Sequence, residues 1–416
     1  MIPLEQKTHE YIKNSWLKAV KKSDCDKNFI MPYDYIPPCV DSAFTNLFYW
    51  DTYFTNLGLY NDDMAKYAFQ NIEDLKFCLR KFGCVPNMCR ANGAMHASQP
   101  PLLFLMVEDY FNYSLDIEWL RDSYDALKTE YDFWQTKRKA PNGLNRYWRN
   151  YDCETLGADS GWIQWYARRH GEHILQLSEK EKIQLQTHKT AEGEGGEDHT
   201  PRYGGQAGDI NPIDLNAYLY GFEKTMARFA TILQNGENTV WDNRAKQRAT
   251  LIQTYCYDEN TGVYFDYNYK TGKRTGIYCS ACYIPFIFGI TSDKKALQKI
   301  NERLIHAHGV TPCQEMPPDG DIYQWGYPNT WAPNNWWAYL ANERVGEYGT
   351  VRTIINTYLN TISLEFEKSG KLYEKYDAVN GGKATVNEYG VPEMLGWTAG
   401  VFSRFFYIKQ MEREKF

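Results

Sequence analysis

Apolar residues recur at helical spacing along most of the chain. Within 212–235, six of them follow one another at intervals of three or four, which places them on one helix face: Leu215, Leu219, Phe222, Met226, Phe229 and Leu233. The pattern predicts helices at Pro101–Asn112, Ile117–Gln135, Pro212–Asn235, Trp241–Tyr257, Asp293–His308, Asn334–Tyr348 and Val351–Lys368. β-rich runs are short, and Val263–Tyr267 is predicted as a strand.

Long glycine- and aromatic-rich segments connect the predicted helices. They cover 152–161, 189–209, 313–333 and 380–396, and connections of this length inside a compact domain usually carry function. The segment around 175–197 is strongly charged, and we expect a loop insertion there. Since no Pro/Ser-rich linker divides the chain, we predict one all-α domain over residues 1–416. It would be a toroid of paired helices whose long loops form the active-site face.

Composition narrows the classes of function. The 416 residues carry a formal net charge of −6, which argues against nucleic acid or an anionic membrane as partner. No N-terminal signal and no stretch of about 18 apolar residues is present, so we predict a soluble, cytoplasmic protein. The ten cysteines are scattered, and the pair Cys279 and Cys282 lacks the second pair of a zinc site. We expect buried free thiols, and neither a metal nor another cofactor. The sequence does not indicate the oligomeric state.

Aromatic residues make up 16% of the chain. They either fill the core or form a carbohydrate site, where ring faces cover the apolar face of a sugar. Two segments place an acid among aromatic and turn residues: Glu197–Tyr203 contains Asp198, and Tyr373–Asp377 contains Glu374. Two carboxylates on separate loops are the minimum equipment for cleaving a glycosidic bond, because one protonates the leaving oxygen while the other activates water.

The aromatic and acidic motifs resemble those of trehalases of glycoside hydrolase family 37, in the same order along the chain. The similar segments are Phe48–Phe54, Pro86–Asn87, Ser98–Pro101, Asn211–Asn216, Gln324–Pro333, Glu374–Asp377, Asn387–Tyr389 and Gly396–Val401. Among their counterparts in trehalases are Pro-Val-Asp-Leu-Asn, Glu-Lys-Tyr-Asp and Gly-Trp-Thr-Asn-Gly-Val. A collinear series of this length is not expected by chance.

Two aspartates compete for the role of general acid. Asp159 lies in a segment that resembles the Ser-Gly-Trp-Asp-Phe-Ser of trehalases, but Ile163 stands where their acid would be. Gly196–Arg202 fits better and also resembles the Gly-x-Asp-Asn-Ser-Pro pattern of family 63. We therefore assign Asp198, with Asp159 as the alternative.

The resemblance implies an (α/α)6 barrel and an inverting mechanism. Asp198 would be the general acid and Glu374 the base, with carboxyls roughly 6.5–9.5 Å apart and a raised pKa at the acid. The residues expected to bind substrate are Tyr49, Trp50, Asp51, Asn87, Gln99, Gln324, Trp325, Trp331, Glu388, Tyr389 and Trp397. For the tryptophans, core packing is an equal alternative. Arg90 and Arg202 are further polar candidates.

The chain departs from the trehalase pattern where substrate is recognised. Ala43 and Ala97 stand where trehalases have arginines, and Gly326 replaces an aspartate. Arginine forks fix sugar hydroxyls with directed donors, and alanine supplies none. We therefore expect an inverting exo-α-glycosidase acting on a small α-linked glycoside, a disaccharide or a glycosylated small molecule. An α-glucoside is favoured, and these replacements make trehalose doubtful as the substrate.

Two alternatives belong to other classes. A polysaccharide lyase on the same toroid would use a tyrosine or histidine to remove a proton beside a uronate; the candidate histidines are His96, His170, His173 and His199. A sugar-binding protein without catalysis is the other.

Overall fold

The computed structural model of the protein describes residues 3–41, 44–92, 97–148, 161–317, 321, 323–386 and 389–413. Helices predominate in these ranges. They are α1 (Leu4–Ala19), α2 (Tyr49–Asn61), α3 (Ala65–Phe82), α4 (Leu103–Ser114), α5 (Ile117–Lys137), α6 (Gly161–His170), α7 (Glu179–Glu194), α8 (Ile213–Leu233), α9 (Asn238–Cys256), α10 (Ile284–Ile287), α11 (Lys294–Leu304), α12 (Ala332–Arg344), α13 (Tyr348–Ser369) and α14 (Gly396–Arg413).

The strands in the described ranges are short and form antiparallel ribbons between helices. They are β1 (Ile210–Asn211), β2 (Tyr267–Asn268), β3 (Lys273–Arg274), β4 (Ile305–His306), β5 (Gly309–Val310), β6 (Asn329–Trp331) and β7 (Lys375–Asp377). β1, β2 and β3 form one sheet, β4 pairs with β5, and β6 pairs with β7. In the β6–β7 ribbon, Trp331 lies opposite Lys375. This register brings a tryptophan of one long connection next to the segment that carries Glu374.

Six helical segments form a closed inner ring. Following the chain, α2 contacts α4, α4 contacts α8, α8 contacts the short α10, α10 contacts α12, α12 contacts α14, and α14 returns to α2. The helices α1, α3, α5, α9, α11 and α13 pack around the outside. Alternation of inner and outer helices along the sequence is the arrangement expected of the predicted barrel.

How completely a helix is buried in the barrel determines whether its apolar residues form a periodic pattern that can be recognised in the sequence. In α2 every residue from Tyr49 to Leu59 is buried, so this stretch has no solvent-exposed face and differs from the amphipathic helix of a protein surface. The predicted helices at 101–112, 117–135 and 212–235 agree with α4, α5 and α8 to within a few residues. The predicted helix 293–308 ends at Leu304, where β4 begins.

Two local predictions are wrong. The charged segment around 175–197 is not a loop, because it contains α7. A capping box begins this helix: Ser178 Oγ accepts from the Glu181 N–H, and the Glu181 carboxylate accepts from the Ser178 N–H at 2.8 Å. At its C-terminal end, buried Glu194 pairs with Arg138 at 2.8 Å, so tertiary partners satisfy the charges.

The predicted strand Val263–Tyr267 is the second error. Tyr264 forms only an isolated bridge with Tyr257, and the strand itself is Tyr267–Asn268. Residues Val263 to Phe265 are buried, so their apolar character reflects core packing rather than pairing in a sheet.

Other features of the described ranges bear on the composition. No helix in them combines the length and the apolar character needed to cross a bilayer. Cys279 and Cys282 are free thiols and are buried, as expected.

The ring closes where α2 crosses α14 at two glycines. A Cβ on Gly58 would lie 2.7 Å from Gly400 Cα, and a Cβ on Gly400 would lie 2.0 Å from the Phe54 carbonyl oxygen. The two backbones are therefore in direct contact, and neither position has room for a side chain.

Substitution of Gly400 tests this contact. We expect Gly400→Ala to lower the free energy of unfolding by about 3 kcal/mol or more, since a methyl group against backbone forces the helices apart. Gly349→Ala is the control, because Gly349 is exposed within α13 and its Cβ would meet nothing within 4 Å. That variant should gain about 0.5–1 kcal/mol. Urea unfolding measures both; equal stabilities would contradict the contact.

Candidate active site

A cavity of about 230 Å³ lies where the connections that precede the inner helices converge. The described residues that line it are Phe44, Phe48, Trp50, Asp51, Asn87, Gln99, Gly193, Gly196, Asp198, Trp325, Trp331, Glu374, Tyr389, Met394 and Trp397. They precede or begin α2, α4, α8, α12 and α14. The site is thus assembled from five loops that only the closed ring brings together.

Four tryptophans form the walls of the cavity. Trp325 and Trp331 stack face to face, with ring centroids 3.9 Å apart and planes 3° from parallel. Trp397 stands edge-on to both, at 6.0 and 5.6 Å. Trp50 lies 5.5 Å from Trp325. All four are buried, so they pack as core residues and also present aromatic surface to the cavity.

Glu374 has one oxygen held and one oxygen without a partner. Oε1 accepts a hydrogen bond from the Tyr389 hydroxyl at 3.0 Å, whereas Oε2 has no partner among the described residues. Burial raises the pKa of this carboxyl. The Tyr389 hydrogen bond and the charge of Lys375 act against the rise, and Asp198 and Asp51 add to it. The Trp397 indole donates to the Glu374 backbone carbonyl at 3.0 Å and so fixes the chain at this position.

Asp198 is exposed, on a turn at the edge of the cavity. Protein atoms surround its carboxylate even though water in the cavity reaches it, and the resulting desolvation raises its pKa. A hydrogen bond from Trp325 and the charges of Lys189 and Lys375 oppose this rise.

The turn before Asp198 depends on a glycine. Gly196 has φ +78°, and a Cβ there would lie 2.8 Å from the Trp50 ring. On the other side of Asp198, His199 has φ +53°, and its carbonyl accepts from the Trp325 N–H at 3.1 Å. The turn that carries Asp198 therefore contacts two tryptophans of the wall, Trp50 before Asp198 and Trp325 after it.

Arg202 fixes this turn from behind. Its guanidinium is fully buried and bonds both oxygens of Asp214 at 2.9 and 2.7 Å and both of Asp266 at 2.7 and 3.0 Å. Burial disfavours its charge, but Asp214 and Asp266 hold its pKa above the usual range. It also reaches Glu197 at 3.4 Å. Arg202 is not among the described residues that line the cavity, and it reaches the turn through Glu197, which directly precedes Asp198.

Glu197 connects the same cluster to two further segments. Its Oε1 accepts from Ser280 Oγ at 2.8 Å and from Asn334 Nδ2 at 3.3 Å. Burial raises the pKa of Glu197 to about 7, so near neutral pH this carboxyl holds a proton part of the time. Partial neutralisation limits the repulsion among the three acids around Arg202.

Three further polar residues face the cavity. Asp51 lies in the first turn of α2, and burial raises its pKa to about 7. Gln99 accepts from the Trp50 N–H at 3.0 Å through Oε1, which leaves its amide NH₂ as the donor end. Asn87 is held by its backbone, since its carbonyl accepts from the Tyr49 N–H at 3.0 Å. They supply both acceptors and donors for hydroxyl groups.

Several expected site residues are not at the cavity. Tyr49 is fully buried; its hydroxyl donates to Glu130 and accepts from the Leu103 N–H at 2.9 Å. Gln324 is fully buried and accepts from Lys375 at 2.6 Å. Both support neighbouring loops. Arg90 is exposed and does not line the cavity. Outside the described residues lie Glu388, Asp159, Ala43, His96 and the side chain of His170.

The sequence analysis missed other members of the site. Phe44, Phe48 and Met394 form an apolar wall; Phe48 directly precedes the Tyr49-Trp50 motif and was open to prediction, whereas Met394 carries no signal. The missed support is the Arg138–Glu194 pair. Glu194 also accepts from the Ser98 N–H at 2.9 Å, which anchors the loop that carries Gln99.

A second, larger cavity of about 620 Å³ lies on the other side of the ribbon formed by 372–374 and 392–394. Its lining acids are Asp41 and Glu393, which are exposed and pair with Lys21 and Lys371. Glu374 faces the smaller cavity instead. Of these two cavities, the smaller one combines buried acids with tryptophan walls.

The position of Gly326 shows one departure from the trehalase pattern in structural terms. A Cβ at Gly326 would lie 2.7 Å from Tyr323 Cβ. An aspartate therefore has no room here unless Tyr323 moves. At Ala97, the backbone carbonyl accepts from the Asn87 N–H at 2.8 Å, and the side chain adds no donor to the site.

Comparison with solved structures confirms the fold. The neutral trehalase of Saccharomyces cerevisiae superposes with a TM-score of 0.76 at 24% identity, covering 96% of this chain and 79% of that chain. The family GH63 mannosylglycerate hydrolase of Thermus thermophilus, in complex with glucose, gives 0.64 at 15% identity, covering 97% and 100%. A GH78 rhamnosidase of a Bacillus species gives 0.58 at 12%, covering 98% and 35%. The all-α (α/α)6 toroid is thus the fold of this chain.

Comparison with family profiles extends over nearly the whole sequence. The trehalase profile matches residues 3–409, a range that includes all five loops of the cavity. The chain belongs to the trehalase family of glycoside hydrolases.

Proposed function

We propose that the protein is an inverting exo-α-glycosidase that hydrolyses a small α-linked glycoside, with Asp198 as general acid and Glu374 as general base. The observation that carries this proposal is the arrival of both carboxylates, from loops far apart in sequence, in one tryptophan-walled cavity. The charge of Asp198 raises the pKa of Glu374, and the charge of Lys375 lowers the pKa of both carboxyls. Such coupled carboxyls divide acid and base roles between them.

The surroundings of the two acids support the assignment of roles. Burial raises the pKa of Glu374 to about 8, and the hydrogen bond from Tyr389 and the charge of Lys375 favour its ionised form against that rise. Its Oε2 has no partner among the described residues and would take the proton from water. Asp198 is accessible from the cavity, and the raised pKa lets it hold a proton for the leaving oxygen.

The cavity supports a substrate with one buried sugar ring. Its volume of about 230 Å³ is below the roughly 300–1,000 Å³ of sites for larger ligands, which favours an enzyme that removes a single terminal sugar. Asp51, Asn87 and Gln99 would bind its hydroxyls. The described lining contains no lysine or arginine, so the arginine contacts of a trehalose site are not reproduced there. Since the related mannosylglycerate hydrolase was solved with glucose, an α-glucoside is the first substrate to test.

The lyase alternative receives less support. A lyase needs a cation beside the uronate carboxylate, and the described cavity residues include no lysine or arginine. The one tyrosine among them, Tyr389, donates its hydroxyl to Glu374. His199 is buried, follows Asp198 in the turn and is not among the described residues that line the cavity. His173 is exposed and lies outside the cavity. The single domain over 1–416 and the cytoplasmic location stay predictions.

Replacing each acid separately tests the roles. With a glycoside whose leaving group is a poor one, Asp198→Asn and Glu374→Gln should each lose about 10²–10⁴-fold in kcat. The fluoride ion of an α-glycosyl fluoride leaves without being protonated. Asp198→Asn should therefore recover most of its activity on this substrate, whereas Glu374→Gln should not. Initial rates with α-glucosyl, α-mannosyl and α-galactosyl substrates provide the measurement.

The matched control is Glu393→Gln, which removes an exposed carboxylate in the larger cavity and should leave both rates unchanged. Recovery by Glu374→Gln instead of Asp198→Asn would exchange the two roles. Normal turnover by either variant on the poor leaving group would refute the proposed site, and binding without cleavage by the unmodified protein would leave a sugar-binding protein.

The stereochemistry of the product tests inversion. Attack of water from the face opposite the leaving group gives a β-configured sugar from an α-glycoside. Proton NMR recorded in the first minutes, before mutarotation, should show the β-anomer first. Initial appearance of the α-anomer would demonstrate retention, and a nucleophilic role for one of the two carboxylates would follow.

A further inference from the structure

Lys375 carries a charge buried beside the base. Its side chain is fully buried, and it directly follows Glu374 in the chain. Nζ donates to Gln324 Oε1 at 2.6 Å and to the Val386 carbonyl at 2.9 Å, and it lies 5.1 Å from the centre of the Trp331 ring. Removing an ammonium from water is costly, so its presence here calls for a role that a neutral side chain would not fill.

The contacts of Lys375 connect three segments of the site. Gln324 directly precedes Trp325, Val386 precedes the segment that carries Tyr389, and Trp331 lies opposite Lys375 in the β6–β7 ribbon. A neutral residue already makes a similar connection: Asn329 Nδ2 donates to the Gln324 and Val386 carbonyls, both at 2.9 Å. Holding the segments together therefore does not by itself require a positive charge.

The charge acts on the acids of the cavity. Lys375 favours the ionised forms of Glu374 and Asp198. The other titratable groups that face Glu374 are Asp51, Asp198 and Tyr389; the acids disfavour its ionisation and the tyrosine hydrogen bond favours it. Across the cavity, Lys189 acts on Asp198 and pairs with Glu192. Within β6 no residue is titratable.

We propose that Lys375 is a positioning residue for hydrolysis: its hydrogen bonds hold the tryptophan wall and the Tyr389 segment around Glu374, and its buried positive charge favours the ionised form that takes a proton from water. This inference rests on the proposed role of Glu374. It gives the lysine of the Glu374–Asp377 motif a function in the reaction without contact with substrate.

The pH dependence of kcat/KM tests the proposal. A base must be ionised, so activity falls as pH drops through its pKa, and loss of a nearby cation raises that pKa. Lys375→Met should therefore move the acid limb of the profile, which is the fall in kcat/KM at low pH, to higher pH by about one unit. It should also lower kcat. Lys371→Met is the control: it removes an exposed lysine on the other side of the ribbon, and the acid limb should not move.

A second variant covers the case in which Lys375→Met does not fold. Gln324→Glu keeps the lysine and places a carboxylate against its ammonium, which cancels the charge while preserving the contact. The acid limb should again move to higher pH. Loss of kcat with an unmoved acid limb in the folded variants would show that Lys375 is merely structural and overturn the proposal.

A readout without substrate separates this inference from the function itself. Carbon-13 NMR of glutamate carboxyls, with the Glu374 signal assigned through Glu374→Gln, follows the ionisation of Glu374 directly. We expect its midpoint to rise in Gln324→Glu; an unchanged midpoint contradicts the role of Lys375 even if hydrolysis is confirmed. Conversely, normal hydrolysis by Glu374→Gln would reject Glu374 as base whatever the titration shows.

Discussion

The face of the barrel that carries the tryptophan-walled cavity depends on one buried cation, Arg202, and the carboxylates that surround it. Its paired bonds to Asp214 and Asp266 join the start of α8 to the β2 region, and its contact with Glu197 extends the cluster to the turn of Asp198. Removal of any one partner from such a cluster leaves an uncompensated buried charge. The acid turn is consequently fixed to the barrel wall by electrostatics as well as by packing.

Burial of charged groups also shapes the cavity, but there acids outnumber cations. Around Arg202 a cation gathers acids and stabilises their charges. In the cavity, Asp51 and Glu374 are buried among aromatic rings and Asp198 lies at the edge, and desolvation raises the pKa of each. The first cluster holds its acids on a cation, whereas the described lining of the cavity contains acids and no lysine or arginine. The two meet at consecutive residues, since Glu197 belongs to the first and Asp198 to the second.

The sequence predicted elements whose signal is local and missed those whose signal is tertiary. α8 shows its buried face as a regular apolar stripe, whereas α2 is buried on all sides and shows none. α7 was obscured by charge, because the partner of Glu194 is Arg138, 56 positions away. Likewise, Arg202 follows Asp198 closely in the sequence, but its partner Asp266 lies 64 positions away from it. Motifs located Trp50, Asp51 and Glu374, yet their pattern did not show that Tyr49 and Gln324 point elsewhere.

The crossing of α2 and α14 has a consequence for how the chain is made. Gly58 and Gly400 meet across 342 positions, so the inner ring lacks its closing contact until the last helix has left the ribosome. At about 5–20 residues per second, α2 waits roughly 20–70 s without α14, with residues exposed that the folded protein buries. A contact of such long range also slows the folding step itself. The nascent protein is for that interval a natural client for chaperones, and the two glycines make the final docking sterically possible.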